Sequence, residues 1–196
     1  MKDNKDNKDK STKKKGSNLG KKFEHNFRES AINQELFFLR LNDSDISYMG
    51  YQGVRFTPTN PADFLSFLNG NLFLLELKST EYGSIGIQRT PEEEKKMIKF
   101  HQINDLIKYS LFENVNCGFV FNFREKEGLD EDTYYLSIQN FSNFLCDTDK
   151  KSINKLDIVQ YGGIKISQKL KRTQYTYDVK KMLEDIIKYN KENKEY

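Results

Sequence analysis

The apolar positions of the chain follow two periodicities, one typical of helices and one typical of strands. Near the start, Phe23, Phe27 and Ala31 fall at helical spacing and predict a helix that begins around Leu19. A second amphipathic helix is predicted from Tyr175 onward. Its apolar face consists of Val179, Met182, Leu183, Ile186 and Ile187.

Short runs rich in apolar, β-branched and aromatic residues lie between these two helices and predict strands. They cover residues 36–41, 63–68, 72–78, 115–123 and 134–138. A middle helix is predicted from Thr90 to about Phe112. Thr90 suits the N-cap, Pro91 suits the first helical position, and Glu93 completes a capping box. This order of elements predicts a mixed α/β domain in which a central mixed β-sheet is flanked by helices.

The dipeptide Asn69-Gly70 separates two of the predicted strands and is typical of a two-residue β-hairpin turn, because both of its residues must take positive φ. Such a turn fixes the register of the strands. Counting back from the turn places Asp63 directly across from Glu76, with Cβ atoms roughly 5 Å apart. Lys78, two residues further along, shares the same face of the sheet.

Two directly opposed carboxylates repel each other, so this arrangement indicates a cation between them. A divalent cation held by Asp63 and Glu76 can bind a phosphate and lower the pKa of a bound water, while Lys78 stabilises developing charge. The three residues are therefore predicted to catalyse phosphodiester hydrolysis. The alternative is an ordinary charged strand, but Glu76 and Lys78 interrupt an apolar run, where unpaired charges are costly.

Composition narrows the class of protein. With 36% hydrophobic and 31% charged residues, the chain of 196 residues can bury one core. It has no apolar run near the ~20 residues of a membrane span and no apolar leader, so we expect no membrane partner. We expect a cytoplasmic protein, nucleoid-associated or in the cytoplasm of an infected host. Two cysteines and two histidines make neither a disulfide framework nor a zinc site, which favours oxygen ligands and Mg²⁺, with Mn²⁺ able to substitute.

Charge is distributed unevenly. Residues 1–15 carry a net charge of +4, which leaves −1 for the rest of a chain whose total is +3. Residues 1–18 are therefore predicted to be a disordered, lysine-rich arm, residues 19–190 a single nuclease domain, and residues 191–196 a polar end. A local basic cluster, formed by Lys165, Lys169, Lys171 and Arg172, is the predicted DNA-binding surface, with a merely solvated loop as the alternative.

Seven short motifs in one order resemble the RecU family of Holliday junction resolvases, which belongs to the PD-(D/E)XK nuclease superfamily. The resemblance spans about residues 18–187. The motifs are Gly20-Lys-Lys-Phe-Glu24, Asp63, Glu76-Leu-Lys78, Ser84-Ile-Gly-Ile-Gln88, Phe100-His-Gln-Ile103, Cys117-Gly-Phe-Val-Phe121 and Lys151-Ser-Ile153. Pro61-Ala-Asp63 also resembles the P-x-D variants of the superfamily signature. The chain departs from the family at Pro61, where a threonine is usual, and in a shorter stretch before Asp63.

The resemblance implies a restriction-endonuclease-like core and a homodimer that nicks four-way DNA junctions symmetrically, with recombination proteins as further partners. It implies Asp63, Glu76 and Gln102 as metal ligands, Lys78 as the transition-state lysine and Glu24 as an accessory acid. A core glutamine that bonds to the backbone is the alternative for Gln102, and a plain helix charge is the alternative for Glu24. Two other functions stay open: a phage-type or mobile-element nuclease for duplex or branched DNA, and a non-catalytic DNA-binding protein of the same fold.

Overall fold

A computed structural model describes residues 9–41, 60–124 and 131–192, with the side chains of the first helix described from Gly20 onward. The helices of these residues are α1 (Asp9–Asn33), α2 (Phe100–Ser110), α3 (Ile138–Asp147), α4 (Lys155–Gln160) and α5 (Val179–Glu192). The strands are β1 (Phe37–Arg40), β2 (Phe64–Leu68), β3 (Asn71–Thr80), β4 (Ser84–Gly86), β5 (Val115–Arg124), β6 (Glu131–Ser137), β7 (Ser152–Asn154), β8 (Ile164–Lys165), β9 (Gln168–Lys171) and β10 (Gln174–Tyr177).

The main sheet has six strands in the order β1-β2-β3-β5-β6-β8. Its neighbours are antiparallel except for the central pair β3 and β5, which run parallel. Two small antiparallel sheets, β4 with β7 and β9 with β10, lie beside it. The predicted fold class, a mixed α/β domain with a central mixed sheet flanked by helices, is confirmed.

Each face of the main sheet buries its own apolar core. On one face α1 and α5 cover side chains such as Phe64 and Leu75, and on the other α2 and α3 cover Leu74 and Phe119. Successive residues of a strand point to opposite faces, so β3 alternates between the two cores. Glu76 consequently points into the face that α2 covers.

The hairpin between β2 and β3 has the predicted turn and register. Asn69 and Gly70 have φ of 49° and 78°, and Leu68 pairs with Asn71. The register continues to Phe64 opposite Leu75, so Asp63 is the residue immediately before β2. The two-residue turn therefore brings Asp63 level with the middle of β3.

The predicted middle helix is wrong at its start. Residues 90–99 form a loop, and the helix begins only at Phe100 and ends at Ser110. The Glu93 carboxylate accepts a hydrogen bond from the Arg89 N–H at 2.7 Å instead of closing a capping box with Thr90. The Gln88 amide donates to the carbonyl oxygens of Pro91 and Glu93, which occupies acceptors that a helix would need.

The two terminal helices also differ from their predicted limits. Helix α1 begins at Asp9, so the part of the predicted disordered arm from residue 9 to 18 is helical, while residues 1–8 lie outside the described residues. Lysine is a good helix former, and a helix already packed on the sheet extends at little cost. Although α1 has 25 residues, neither it nor another described helix is apolar enough to cross a membrane.

The closing helix starts four residues later than predicted, at Val179, because residues 174–177 pair with β9 as the strand β10. It extends to Glu192, so residues 191 and 192 of the predicted polar end are helical, and residues 193–196 lie outside the described part of the chain. Its buried residues are Val179, Met182, Leu183 and Ile186, as its periodicity predicts.

Candidate active site

The candidate site is centred on Glu76, a carboxylate buried within an otherwise apolar strand. Glu76 is only 3% exposed. The Lys78 ammonium donates to Glu76 Oε1 at 2.7 Å, and the Gln102 Nε2 donates to the same oxygen at 2.5 Å. The side chain of Lys78 is itself only 12% exposed, so the structure holds a largely buried ion pair bridged to helix α2.

Asp63 lies beside this ion pair, as the register predicted. Its Oδ2 accepts a hydrogen bond of 2.8 Å from the backbone N–H of Leu77, the residue between Glu76 and Lys78. That bond fixes the Asp63 carboxylate against β3. The negative charge of Asp63 also raises the pKa of Glu76, which shows that the two carboxylates are electrostatic neighbours.

Gln102 joins the site to the beginning of α2. Its Oε1 accepts from the backbone N–H of Lys99 at 3.0 Å, while its Nε2 holds Glu76. The two interpretations of Gln102 therefore both have a counterpart in the structure: the amide bonds to the backbone, and it also faces the carboxylate pair. Its role as a metal ligand stays a prediction.

Glu24 reaches the same site from α1. Arg40 Nη2 lies 2.7 Å from Glu24 Oε2. Burial raises the pKa of Glu24, and the Asp63 charge raises it further, while Arg40, Lys78 and Lys21 lower it. Glu24 thus pairs with Arg40 and is affected by the charges of Asp63 and Lys78, and its role as an accessory acid stays a prediction.

Sequence reasoning missed Arg40 and Lys99. Arg40 ends the otherwise apolar strand Phe-Phe-Leu-Arg, and a single charge in such a strand indicates an acidic partner nearby. The positive charge of Lys99 lowers the pKa of Glu76, although nothing local in the sequence points to this proximity.

A cleft of about 470 Å³ between α1 and β1 opens next to Glu24. Its polar lining is predominantly basic and includes Lys21, Arg28 and Arg40. Such a lining suits the phosphates of a nucleic acid.

The structure divides the predicted DNA-binding cluster. Lys169, Lys171 and Arg172 lie on β9 and the turn that follows it, and Lys22 of α1 donates to the Thr173 carbonyl of that turn at 3.0 Å. This hairpin is therefore attached to the helix that carries Glu24. Lys165 lies apart on β8, where its ammonium pairs with Asp132 at 2.9 Å.

The donor atoms at the site fit a hard divalent cation. Within residues 9–41, 60–124 and 131–192, no three His, Cys, Asp or Glu side chains are grouped as a metal cluster. The set present is two carboxylates, from Asp63 and Glu76, with the Gln102 amide beside them. Mg²⁺ prefers oxygen ligands and is often bound through only one or two carboxylates, with water and substrate completing its shell.

Burial and the Asp63 charge together raise the pKa of Glu76 from 4.5 to about 7, against the opposing effects of Lys78 and Lys99. Desolvation is the largest of these causes, since an ionised carboxylate loses its hydration in the core. At neutral pH and without a cation, Glu76 is therefore near its titration midpoint.

This pKa gives a testable pH dependence of stability. Because the folded-state pKa of about 7 exceeds 4.5, the stabilisation by protonated Glu76 is complete below pH 4.5 and is lost as the pH rises through 7. With a chelator present, the free energy of unfolding of the wild type should fall relative to Glu76→Gln by on the order of 3 kcal/mol from about pH 4.5 to about pH 8. Denaturant unfolding measures it. Glu92→Gln, at an exposed position, is the control and should track the wild type; parallel curves for Glu76→Gln and wild type would contradict the assignment.

Comparison with known proteins finds one sequence relative and a remote structural likeness. No family model matches it. Hjc, a Holliday junction resolvase from the archaeal hyperthermophile Archaeoglobus fulgidus, is similar in structure with a TM-score of 0.48 and 11% identity over 74% of this chain and 95% of Hjc, too remote to assign a function. The SPbeta prophage-derived uncharacterized protein YotM of Bacillus subtilis (strain 168) is 32% identical over 183 residues, which cover 88% of each chain. The chain therefore belongs to the same protein family as YotM.

Proposed function

We propose that this protein is a metal-dependent DNA endonuclease of the PD-(D/E)XK type. The observation that carries the proposal is the buried group formed by Asp63, Glu76 and Lys78, joined by Gln102. Burying an ion pair costs desolvation free energy that is often not recovered, so such a group in an apolar strand favours a functional over a structural purpose. The spacing of these residues supports phosphodiester hydrolysis among the chemistries available to two carboxylates and a lysine.

Asp63 and Glu76 would hold the cation, Mg²⁺ with Mn²⁺ as a substitute. Gln102 would join them as a ligand by turning its amide, because its Nε2 faces Glu76 while its Oε1 accepts from the Lys99 N–H. When bound, that cation would supply Lewis acidity and a water of lowered pKa. Lys78 holds its ammonium at Glu76, where it would stabilise negative charge that develops on the phosphoryl oxygens. Glu24 would act as an accessory acid, since it lies in the electrostatic reach of Asp63 and Lys78.

Branched DNA, and a four-way junction in particular, is the proposed substrate. The resemblance to RecU resolvases supports it, and so do two basic surfaces: the cleft with Lys21, Arg28 and Arg40 next to Glu24, and the β9–β10 hairpin attached to α1. Phosphate contacts from these surfaces would position the DNA without reading its sequence.

A nuclease for duplex or branched DNA in phage biology is the second candidate. The prophage origin of the relative YotM favours it. Matched four-way, forked and linear substrates of equal length distinguish the two candidates, because a resolvase cuts the four-way substrate in preference and in symmetric pairs.

We expect Asp63→Asn and Glu76→Gln each to lower cleavage by at least about a thousandfold, because each removes a charged ligand of the proposed cation. Junction binding should persist, since phosphate contacts elsewhere supply most of the affinity. Lys78→Ala should lose cleavage and also destabilise the metal-free protein, because the two carboxylates lose their compensating charge. Nicking assays with Mg²⁺ or Mn²⁺, gel-shift binding and melting curves measure these effects.

Asp149→Asn and Glu92→Gln are the matched controls, since they make the same chemical changes at exposed positions. Both should cleave at the wild-type rate. Cleavage by Asp63→Asn at that rate would show that the β2–β3 hairpin is not the active site. Loss of DNA binding together with cleavage in every variant would indicate a structural rather than catalytic group.

We also propose a homodimer, since a junction of two-fold symmetry needs two active sites for paired cuts, and C₂ symmetry is the commonest arrangement of oligomers. Light scattering at micromolar concentration should give about twice the mass of 23.1 kDa for one chain. A monodisperse monomer that cuts both strands at full rate would contradict this prediction.

A further inference from the structure

Residues 88–99, which we call the loop wall, join β4 to α2 and are held in one shape by Gln88. Gln88 is only 7% exposed. Its Nε2 donates to the carbonyl oxygens of Pro91 at 3.3 Å and Glu93 at 3.0 Å, and its Oε1 accepts from the Phe100 N–H at 3.4 Å. One buried amide thus ties the first half of the loop wall to the start of α2.

Arg89 attaches the loop wall to the rest of the fold. Its guanidinium donates to the carbonyl oxygens of Thr148 at 2.8 Å and Lys150 at 2.9 Å, and also to that of Leu145. These carbonyls lie at and just after the C-terminal end of α3. Gln88 and Arg89 therefore hold the backbone of the loop wall in a defined position.

The last residues of the loop wall run beside β4. The Ile98 N–H donates to the Gly86 carbonyl at 3.0 Å, and the Gln88 N–H donates to the Ile98 carbonyl at 2.9 Å. Ile98 is fully buried, whereas its neighbour Lys99 is exposed. Because adjacent residues of an extended segment point in opposite directions, burying Ile98 turns Lys99 outward.

Lys99 lies at the candidate site, and its ammonium forms no ion pair among the described residues. Its backbone N–H is held by Gln102, the residue that also binds Glu76. Among the ion pairs of the described residues, Lys96 is bound to Glu94 and Lys78 to Glu76, but Lys99 takes part in none. Its positive charge still acts on Glu76, which supports the proximity that the backbone contacts establish.

We propose that Lys99 binds a DNA phosphate next to the scissile one, so that the end of the loop wall at Lys99 forms a second side of the DNA-binding cleft. The inference rests on the proposed nuclease function. The first side is α1 with Glu24 and the basic residues Lys21 and Arg28, which belongs to the opposite face of the sheet. A lysine held at a fixed backbone position, exposed and without an acidic partner, is suited to a phosphate as a point charge.

Lys99→Ala tests this assignment against Lys95→Ala, which removes the same charge from an exposed position of the same loop wall. Steady-state cleavage of junction and linear DNA should give a KM about tenfold higher for Lys99→Ala, with kcat within about threefold of the wild type. The slope of log affinity against log salt should become shallower by about one. Lys99→Arg should restore the KM, and melting curves should match for all variants.

The outcomes separate this inference from the proposed function. Equal KM and salt slope for Lys99→Ala and Lys95→Ala, in a wild type that cleaves DNA, would overturn the phosphate contact and leave the nuclease intact. A fall in kcat with unchanged KM that Lys99→Arg does not rescue would show that Lys99 only shapes the helix start, and would overturn it as well. A wild type that cleaves none of the substrates with Mg²⁺ or Mn²⁺ would overturn both.

Discussion

The burial of one carboxylate, Glu76, in the middle of an apolar strand is the constraint on which the rest of the structure depends. Desolvation is the main cause that raises its pKa to about 7. Lys78 on the same strand and Gln102 on α2 both donate hydrogen bonds to it. An unpaired charge at this depth would cost several kcal/mol. Helix α2 and the β2–β3 hairpin therefore both place groups around the Glu76 carboxylate, and a bound cation would offset its remaining negative charge.

The topology explains how three separate segments reach that carboxylate. The two-residue turn brings Asp63 level with β3, the parallel pairing of β3 with β5 requires a long crossover, and α2 lies within it. The crossover also contains the loop wall, which places Lys99 beside the site. Helix α1, which covers the opposite face of the sheet, contributes Glu24.

What could be predicted from the sequence was determined by local chemistry. Asn69 and Gly70 encode their own turn, and that turn fixes the register that brings Asp63 against the middle of β3. Helical periodicity found the buried faces of α1 and α5. The start of α2 was predicted wrongly because Thr90 and Glu93, which suit a helix start, lie in a loop. There the Gln88 amide bonds to the Pro91 carbonyl, and the Arg89 N–H bonds to the Glu93 carboxylate.

For Arg40 the strand shows an isolated charge but not its partner Glu24, and for Lys99 nothing local points to Glu76, since both depend on which element the tertiary fold sets opposite them. Direct measurement of Mn²⁺ binding by calorimetry tests the central claim, that this buried group is a cation site. We expect the wild type, Lys78→Ala and the control Asp149→Asn to bind Mn²⁺, whereas Asp63→Asn and Glu76→Gln should lose about tenfold or more in affinity. Equal affinity in wild type, Asp63→Asn and Glu76→Gln would contradict it.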